Sequence, residues 1–123
     1  RGPTAGNTWA LDLVVLDTPA AISAYWDVTL PPGERRDRFP WPGLLRAPVL
    51  ILPVTDPSAY VERYAEPDKV HSGLGVDATA WPVPYWWVDA GAAVMAMLLA
   101  ATDHGCTGWV KMMWMRLPPA SVE

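Results

Sequence analysis

Charged residues are scarce in this chain of 123 residues. They make up 18% of the sequence, below the roughly 25% of an ordinary globular domain, whereas 51% of the residues are hydrophobic. Nine basic against thirteen acidic side chains give a formal net charge of −4, so we expect no basic surface for nucleic acid. The apolar excess is more than one small domain can bury, which predicts a partner subunit.

Cysteine is almost absent, and the single Cys106 cannot close an intrachain disulfide. A lone thiol favours a reducing compartment, so we expect a cytoplasmic protein. The longest apolar run, residues 90–101, is shorter than the roughly 20 residues that span a bilayer, and the first residues do not resemble a signal peptide. We therefore expect neither membrane insertion nor export. The sequence begins on Arg1 and ends on Pro-Pro-Ala-Ser-Val-Glu, and we expect it to be truncated, processed or incompletely recorded.

The common catalytic motifs are also missing. The serines and histidines occur without a G-x-S-x-G elbow, and the carboxylates are scattered singly rather than at chelating spacing, so no metal site is predicted. Neither a P-loop nor G-x-G-x-x-G occurs. Cys106 lies two residues from His104, which favours an inert thiol over a thiol enzyme. These absences argue against hydrolase, metal-dependent and common nucleotide-binding classes.

The hydrophobic pattern predicts alternating strands and helices in the first half of the chain. Period-two alternation predicts a mostly buried strand over residues 9–16, and an aliphatic run predicts a second strand over residues 47–54. Helices are predicted after each strand, where Thr18 precedes Pro19 and Asp56 precedes Pro57. The proline-rich and glycine-bearing stretches 30–43 and 66–84 are predicted to be loops.

The longest predicted element is a helix over residues 85–104, which ends at Gly105. One side carries an apolar stripe of Trp87, Val94 and Leu98, and another carries small residues at spacing four: Ala92, Ala96 and Ala100. Such a helix must be covered on both sides, and a second subunit is the expected cover. A third strand over residues 107–115 and the start of a helix near 117 complete a single α+β domain over residues 1–123, which we take to be partial.

Aromatic side chains are the remaining feature of the sequence that could indicate a ligand. Four of the eight tryptophans flank the long helix: Trp81, Trp86, Trp87 and Trp109. Planar rings beside exposed backbone amides suit a flat ligand such as a flavin, a nicotinamide or an aromatic substrate. Core packing is the alternative for each of these tryptophans, since tryptophan is also the largest core filler.

Three segments resemble the FMN-dependent nitroreductase family. The opening RGPTAGN, followed by Trp9 and a hydrophobic strand, resembles the P-S-x-x-N-x-Q segment of that family, with Thr4 in place of serine and Trp9 in place of glutamine. Residues 81–105 look like the central dimer helix and its glycine turn, particularly in the actinobacterial branch, and residues 47–69 are similar to the same branch. The likeness covers most of the chain.

The resemblance implies a mixed or antiparallel sheet flanked by helices, and a homodimer with flavin sites at the subunit interface. It implies FMN as cofactor, NAD(P)H as reductant and a nitroaromatic, quinone or similar small aromatic acceptor. Carried over by position, the implied flavin-binding residues form two segments. They are Pro3, Thr4, Ala5, Gly6 and Asn7 in the first, and Gly105, Thr107, Gly108 and Trp109 in the second.

The chain differs from the family in the residues that bind the FMN phosphate. Family members anchor the FMN phosphate with arginines on an N-terminal helix and a basic residue near the C-terminus, and this sequence has neither segment. The usual glycine-leucine-glycine turn reads Gly-Cys-Thr-Gly at 105–108. The hypotheses are therefore a flavin oxidoreductase, a degenerate dimeric scaffold or binding protein without flavin turnover, and an aromatic-ligand binding domain unrelated to redox chemistry.

Overall fold

A computed structural model describes residues 2–106, in which four helices accompany a two-stranded antiparallel sheet. This confirms the α+β class. In chain order the elements are β1 (Leu11–Leu16), α1 (Pro19–Thr29), α2 (Glu34–Asp37), β2 (Leu50–Thr55), α3 (Pro57–Ala65) and α4 (Tyr85–Asp103). The predicted strand 107–115 and the predicted helix start near 117 lie outside the described residues.

Both helices predicted from a capping residue and a proline begin as expected. The Thr18 hydroxyl oxygen accepts a hydrogen bond from the Ala21 N–H at 3.3 Å, and α1 starts on Pro19. The Asp56 carboxylate accepts from the Ser58 N–H at 2.8 Å, and α3 starts on Pro57. In each case the side chain satisfies a donor that the first helical turn leaves unpaired.

The two strands are shorter than predicted, and the register gives the reason. Leu11 pairs with Thr55, and Leu16 pairs with Leu50. Extending that register would place Trp9 opposite Pro57, where the chain already turns into α3. At the other end β1 stops at Leu16 before α1 begins, so residues 47–49 have no opposite strand.

The expectation of a mostly buried β1 is wrong for the single chain. Leu13, Val14 and Val15 are 47%, 44% and 51% exposed. Within the described residues β1 has one strand neighbour, β2, and its central residues alternate between two faces that are both open to solvent. The aliphatic pattern of β1 needs cover that residues 2–106 do not supply.

Two separate clusters of buried residues hold the fold together. The first, the α1 cluster, consists of Ile22, Trp26 and Leu30, with Leu16 and Leu50 of the sheet packed against it. The second, the aromatic cluster, consists of Tyr60, Trp81 and Trp86. It joins α3, the 66–84 connection and the start of α4.

The two predicted loops contain short helical pieces. Residues 30–43 include α2, and the connection 66–84 contains 3-10 turns at Val70–Ser72 and Ala78–Ala80. The Trp81 indole N–H donates to the Leu74 carbonyl at 2.9 Å, which ties this connection back onto itself. Long connections keep a defined path when their polar groups find partners in this way.

Helix α4 ends at Asp103, with Gly105 in the left-handed region at φ 72°, as predicted. Its half-buried residues recur at helical spacing, and α4 packs against β2. The apolar ones among them are Ala90, Ala93, Val94, Met97, Leu98 and Ala101. The predicted small-residue stripe of Ala92, Ala96 and Ala100 is exposed, whereas the predicted apolar stripe divides, because Trp87 is exposed and Val94 and Leu98 are not.

Among the described residues one helix, α4, is long and apolar enough to cross a membrane, judged by length and composition alone. Its 18-residue window has a mean hydropathy of 1.3, and 6% of that window is buried. A single helix of this kind is weak evidence, because the central helix of a globular protein passes the same test. Near its start Asp89 accepts hydrogen bonds from two other parts of the fold. The expectation of no membrane insertion stays a prediction.

Candidate functional site

The first implied flavin segment forms a tight turn before β1. Residues Ala5–Asn7 make a 3-10 turn in which Gly6 and Asn7 both adopt positive φ, 64° and 57°. The Asn7 N–H donates to the Thr4 carbonyl at 3.0 Å, and the Thr4 hydroxyl donates to the Thr8 carbonyl at 2.8 Å. Thr8 is buried, and its hydroxyl donates to the Ala5 carbonyl at 2.7 Å. The turn is therefore closed by its own hydrogen bonds, with Asn7 at the surface.

Asp89 of α4 binds this turn through its carboxylate. One carboxylate oxygen, Oδ2, accepts from the Ala5 N–H at 2.8 Å and from the Tyr60 hydroxyl at 2.8 Å. Tyr60 is 1% exposed. The half-buried Asp89 carboxylate thus links the turn, α3 and α4 at one atom.

Arg63 of α3 also binds the turn, through its guanidinium. Its Nε–H donates to the Gly6 carbonyl at 3.0 Å, while Nη1 and Nη2 donate to the two oxygens of Asp68 at 2.7 and 2.8 Å. The hydrogen-bonded guanidinium lowers the pKa of Asp68 to about 2. Tyr64 lies against Gly6, where an added Cβ would stand 2.6 Å from the ring atom Cε2. Gly6 is required here by both its φ and this close approach.

The aromatic cluster supports the turn rather than lining a ligand cavity. Trp81 contacts Tyr60 and Tyr64 edge to face, with ring centroids 5.9 and 4.6 Å apart, and is 6% exposed. Trp86 is 7% exposed. For these two tryptophans the core-packing alternative is correct. Trp87 is 55% exposed, and Trp109 lies outside the described residues.

We expect stability at alkaline pH to depend on Tyr60. Burial, together with the hydrogen bond to Asp89, raises the pKa of its hydroxyl above the ordinary value of 10.0. A raised folded pKa gives a stabilising contribution that is complete below pH about 10 and is lost as the pH rises through the folded pKa. Free energies of unfolding measured from pH 8 to 11 should fall more steeply for the natural chain than for Tyr60→Phe. Equal slopes would contradict this, since the other tyrosines are common to both proteins.

The structure describes only Gly105 of the second implied flavin segment, and within one chain it does not bring Gly105 to the first segment. Ala5 is bound to Asp89 near the start of α4, whereas Gly105 follows its end. Fourteen residues of helical rise separate Asp89 from the end of α4 at Asp103, which corresponds to about 21 Å. Pro3 and Gly105 are exposed, and Thr107, Gly108 and Trp109 lie outside the described residues. One copy of the chain thus carries the first segment near the start of α4 and Gly105 just after its end.

The residues at the turn fit the edge of a flavin ring better than they fit its phosphate. Asn7 lies at the surface, and the Gly6 N–H makes no hydrogen bond within the described residues. The guanidinium that touches the turn, that of Arg63, is already paired with Asp68 and Glu66. A phosphate here would have to displace those carboxylates. The described residues therefore do not fit the phosphate.

Other parts of the described chain offer weaker chemistry. No group of three metal-ligating side chains occurs among residues 2–106, and the exposed Cys106 thiol contacts the His104 carbonyl at 4.0 Å. An open cleft of about 620 Å³ lies beside α2, lined by Arg35, Arg38 and Trp41 among others. It does not include residues 3–7.

Sequence reasoning missed the residues that hold the turn. Asp89 lies 84 positions from its partner Ala5, and Arg63 lies 57 positions from its partner Gly6. Tyr60 acts on the turn through Asp89, which is 29 positions away from it in the sequence. The signal for Asp89 was present, because it is the one carboxylate in the apolar stretch 85–101. Arg63 and Tyr60 carry no comparable local signal.

Comparison of the chain with protein-family models, with curated proteins and with solved structures gives no match.

Proposed function

We propose that this protein is an FMN-dependent oxidoreductase with a nitroreductase-like fold, acting as a homodimer on a nitroaromatic, quinone or similar acceptor with NAD(P)H as reductant. The observation that carries the proposal is the turn Ala5–Asn7, which resembles the flavin segment of that family. It is held rigid by Asp89 and Arg63 and leaves Asn7 at the surface. Functional groups held by such supporting contacts are preorganised for a ligand.

A shared site between two copies accounts for the separation of Gly105 from the first flavin segment. The exposed face of α4, with Ala92, Ala96 and Ala100, allows a second α4 to approach closely. Two such helices related by a twofold axis perpendicular to them run antiparallel, so the end of one lies beside the start of the other. Residues 3–7 of one copy would then face Gly105 of the second copy.

In such a site the protein supplies position, while bound FMN supplies hydride transfer from reduced nicotinamide to the acceptor. The Asn7 side-chain amide can both donate to and accept from the polar edge of the ring. The Gly6 N–H is a second donor on the same turn. Asp89 and Arg63 act indirectly, because they fix the backbone that carries these two groups.

The test is a flavin titration of Asn7→Gly. Glycine keeps the positive φ of 57° without strain, whereas alanine would add a backbone penalty unrelated to binding. Loss of one ligand hydrogen bond should weaken FMN binding by about tenfold, measured by quenching of flavin fluorescence.

Ser23→Ala on the exposed surface of α1 serves as the control and should leave flavin affinity unchanged. A lower Tm for Asn7→Gly with unaltered FMN affinity would show that Asn7 is structural. A natural chain that is colourless and does not quench flavin fluorescence would remove the proposal altogether.

The second candidate is a dimeric scaffold or small-molecule binding protein without flavin turnover. This candidate is favoured by the ion pairs of Arg63 with Asp68 and Glu66. Because of them, the part of the chain that the structure describes has no free guanidinium at the turn that could bind a phosphate. Flavin-dependent oxidation of reduced nicotinamide, followed by its absorbance, would exclude this candidate. Dimerisation without any flavin binding would favour it.

A further inference from the structure

The cleft beside α2 is separate from the turn that carries the proposed flavin site. Its volume is about 620 Å³, within the roughly 300–1,000 Å³ that is usual for small-molecule sites. It is bounded by Leu30 at the end of α1, by charged side chains of α2 and by Pro40 and Trp41. The cleft therefore combines an apolar wall with a charged one.

The charged wall carries one cation more than it carries anions. Its members are Glu34, Arg35 and Arg38, so the formal charge of the lining is +1 in a chain of net charge −4. Arg38 pairs with the Glu34 carboxylate through Nη1 at 2.8 Å. Arg35 makes no hydrogen bond and no ion pair with any of residues 2–106. The Arg35 guanidinium is thus available for one anionic group of a ligand.

The apolar wall presents aromatic surface. The Phe39 and Trp41 rings meet edge to face, with centroids 5.7 Å apart and planes at 79°. Phe39 is half-buried and packs against the α1 cluster, whereas Trp41 is 53% exposed. A large exposed ring supported by a half-buried one leaves aromatic surface on which a planar ligand can pack.

The backbone that carries Trp41 is fixed before any ligand binds. Trp41 lies between Pro40 and Pro42, and a residue that precedes proline has few allowed backbone conformations. The Trp41 carbonyl also accepts a hydrogen bond from the Leu44 N–H at 3.0 Å. Because this segment is already ordered, a ligand that packs on Trp41 loses little free energy to ordering it.

We propose that this cleft binds a planar aromatic monocarboxylate. The ring of the ligand packs on Trp41 and Phe39, and its carboxylate pairs with Arg35, whose planar guanidinium matches two carboxylate oxygens. A second carboxylate on the ligand would meet only Arg38, which is already paired with Glu34. No residue of the turn 3–7 lines the cleft, so this inference does not depend on flavin binding.

Titration of the full chain with naphthoate, followed by heteronuclear NMR, tests the proposal. The resonances of the Trp41 indole N–H and the Arg35 Nε–H should shift together and reach saturation at millimolar naphthoate or below. Naphthalenemethanol has the same ring system without the charge. It should bind at least about tenfold more weakly, because it cannot form the ion pair.

Two variants separate the contribution of the charge from that of the ring. Arg35→Gln should weaken naphthoate binding by about tenfold and leave the affinity for naphthalenemethanol unchanged. Trp41→Leu should weaken the binding of both compounds by about tenfold, because both pack on the same aromatic surface.

Arg46→Gln is the matched control. Arg46 is exposed and does not line this cleft, and its replacement changes the net charge by the same amount as Arg35→Gln. Naphthoate affinity should therefore equal that of the natural chain. Thermal unfolding shows whether each variant is folded, and the two exposed arginine positions keep the test valid if Trp41→Leu does not fold.

Three results would overturn the proposal. The absence of saturable shifts at Arg35 and Trp41 with millimolar naphthoate would show that the cleft does not bind this class of ligand. Equal affinities for naphthoate and naphthalenemethanol would remove the role of the Arg35 charge. Equal losses for Arg35→Gln and Arg46→Gln would reveal a general effect of net charge instead of a site.

Discussion

Replacing Asp89 by alanine is expected to lower the free energy of unfolding by about 3 kcal/mol. The substitution removes the acceptor of both the Ala5 N–H and the Tyr60 hydroxyl, and each unpaired buried donor costs about 1–3 kcal/mol. Tyr60 is 1% exposed, so water cannot easily replace the lost partner. Alanine favours the helix more than aspartate does, which means that any observed loss understates the value of these contacts.

Asp89→Asn is the matched control for that experiment. Both donors bind the same oxygen, Oδ2, so the amide oxygen of asparagine can occupy its place and keep both hydrogen bonds. We expect a loss of about 1 kcal/mol, from the change of a charged acceptor to a neutral one. Urea unfolding of the three proteins measures the series. Equal losses for alanine and asparagine, or no loss for either, would contradict the assigned role of Asp89.

The second large effect is expected at Gly75, where alanine should destabilise the protein by about 3 kcal/mol through overpacking. A Cβ at this position would stand 2.5 Å from the backbone nitrogen of Ala65 and 2.6 Å from the carbonyl carbon of Tyr64. These are backbone atoms at the end of α3, so no side-chain rotation can relieve the overlap. The 66–84 connection or α3 would have to shift.

Gly43→Ala is the control, since an added Cβ at this position would meet nothing within 4 Å and the residue has a φ of −60°. Alanine fits that backbone and should leave stability unchanged or raise it by about 0.4–1 kcal/mol. Thermal unfolding of both variants decides the point. Gly75→Ala with the Tm of the natural chain would show that α3 and the connection are less closely packed than these distances indicate.

The helices α1, α3 and α4 were predictable because their signals are local. Thr18 with Pro19 and Asp56 with Pro57 fix two starts within a few residues, and Gly105 marks the end of α4. Strand limits were less accurate, because a strand ends where its partner ends. That information lies in the register between β1 and β2, which the sequence of neither strand contains.

Burial and the supporting contacts of the site could not be predicted, because they depend on positions far apart in the sequence. The apolar pattern of β1 indicates that it needs cover, and the single described chain leaves Leu13 and Val15 half exposed. The family likeness at residues 1–7 indicates the turn from sequence. Its contacts with Asp89 and Arg63, however, join residues that are 84 and 57 positions apart. Only the folded chain brings them together.

A mixing experiment tests the proposed shared flavin site most directly. Asn7→Gly and Gly105→Ala proteins, each weakened in FMN binding, are unfolded together, refolded at equal amounts and titrated with FMN. If residue 7 of one copy and residue 105 of the other form one site, half of the dimers are mixed and each has one undamaged site. The account predicts natural affinity at about one quarter of all sites. If each site belongs to a single copy, every site contains one of the two substitutions. The absence of any high-affinity FMN binding in the mixture would therefore contradict the account.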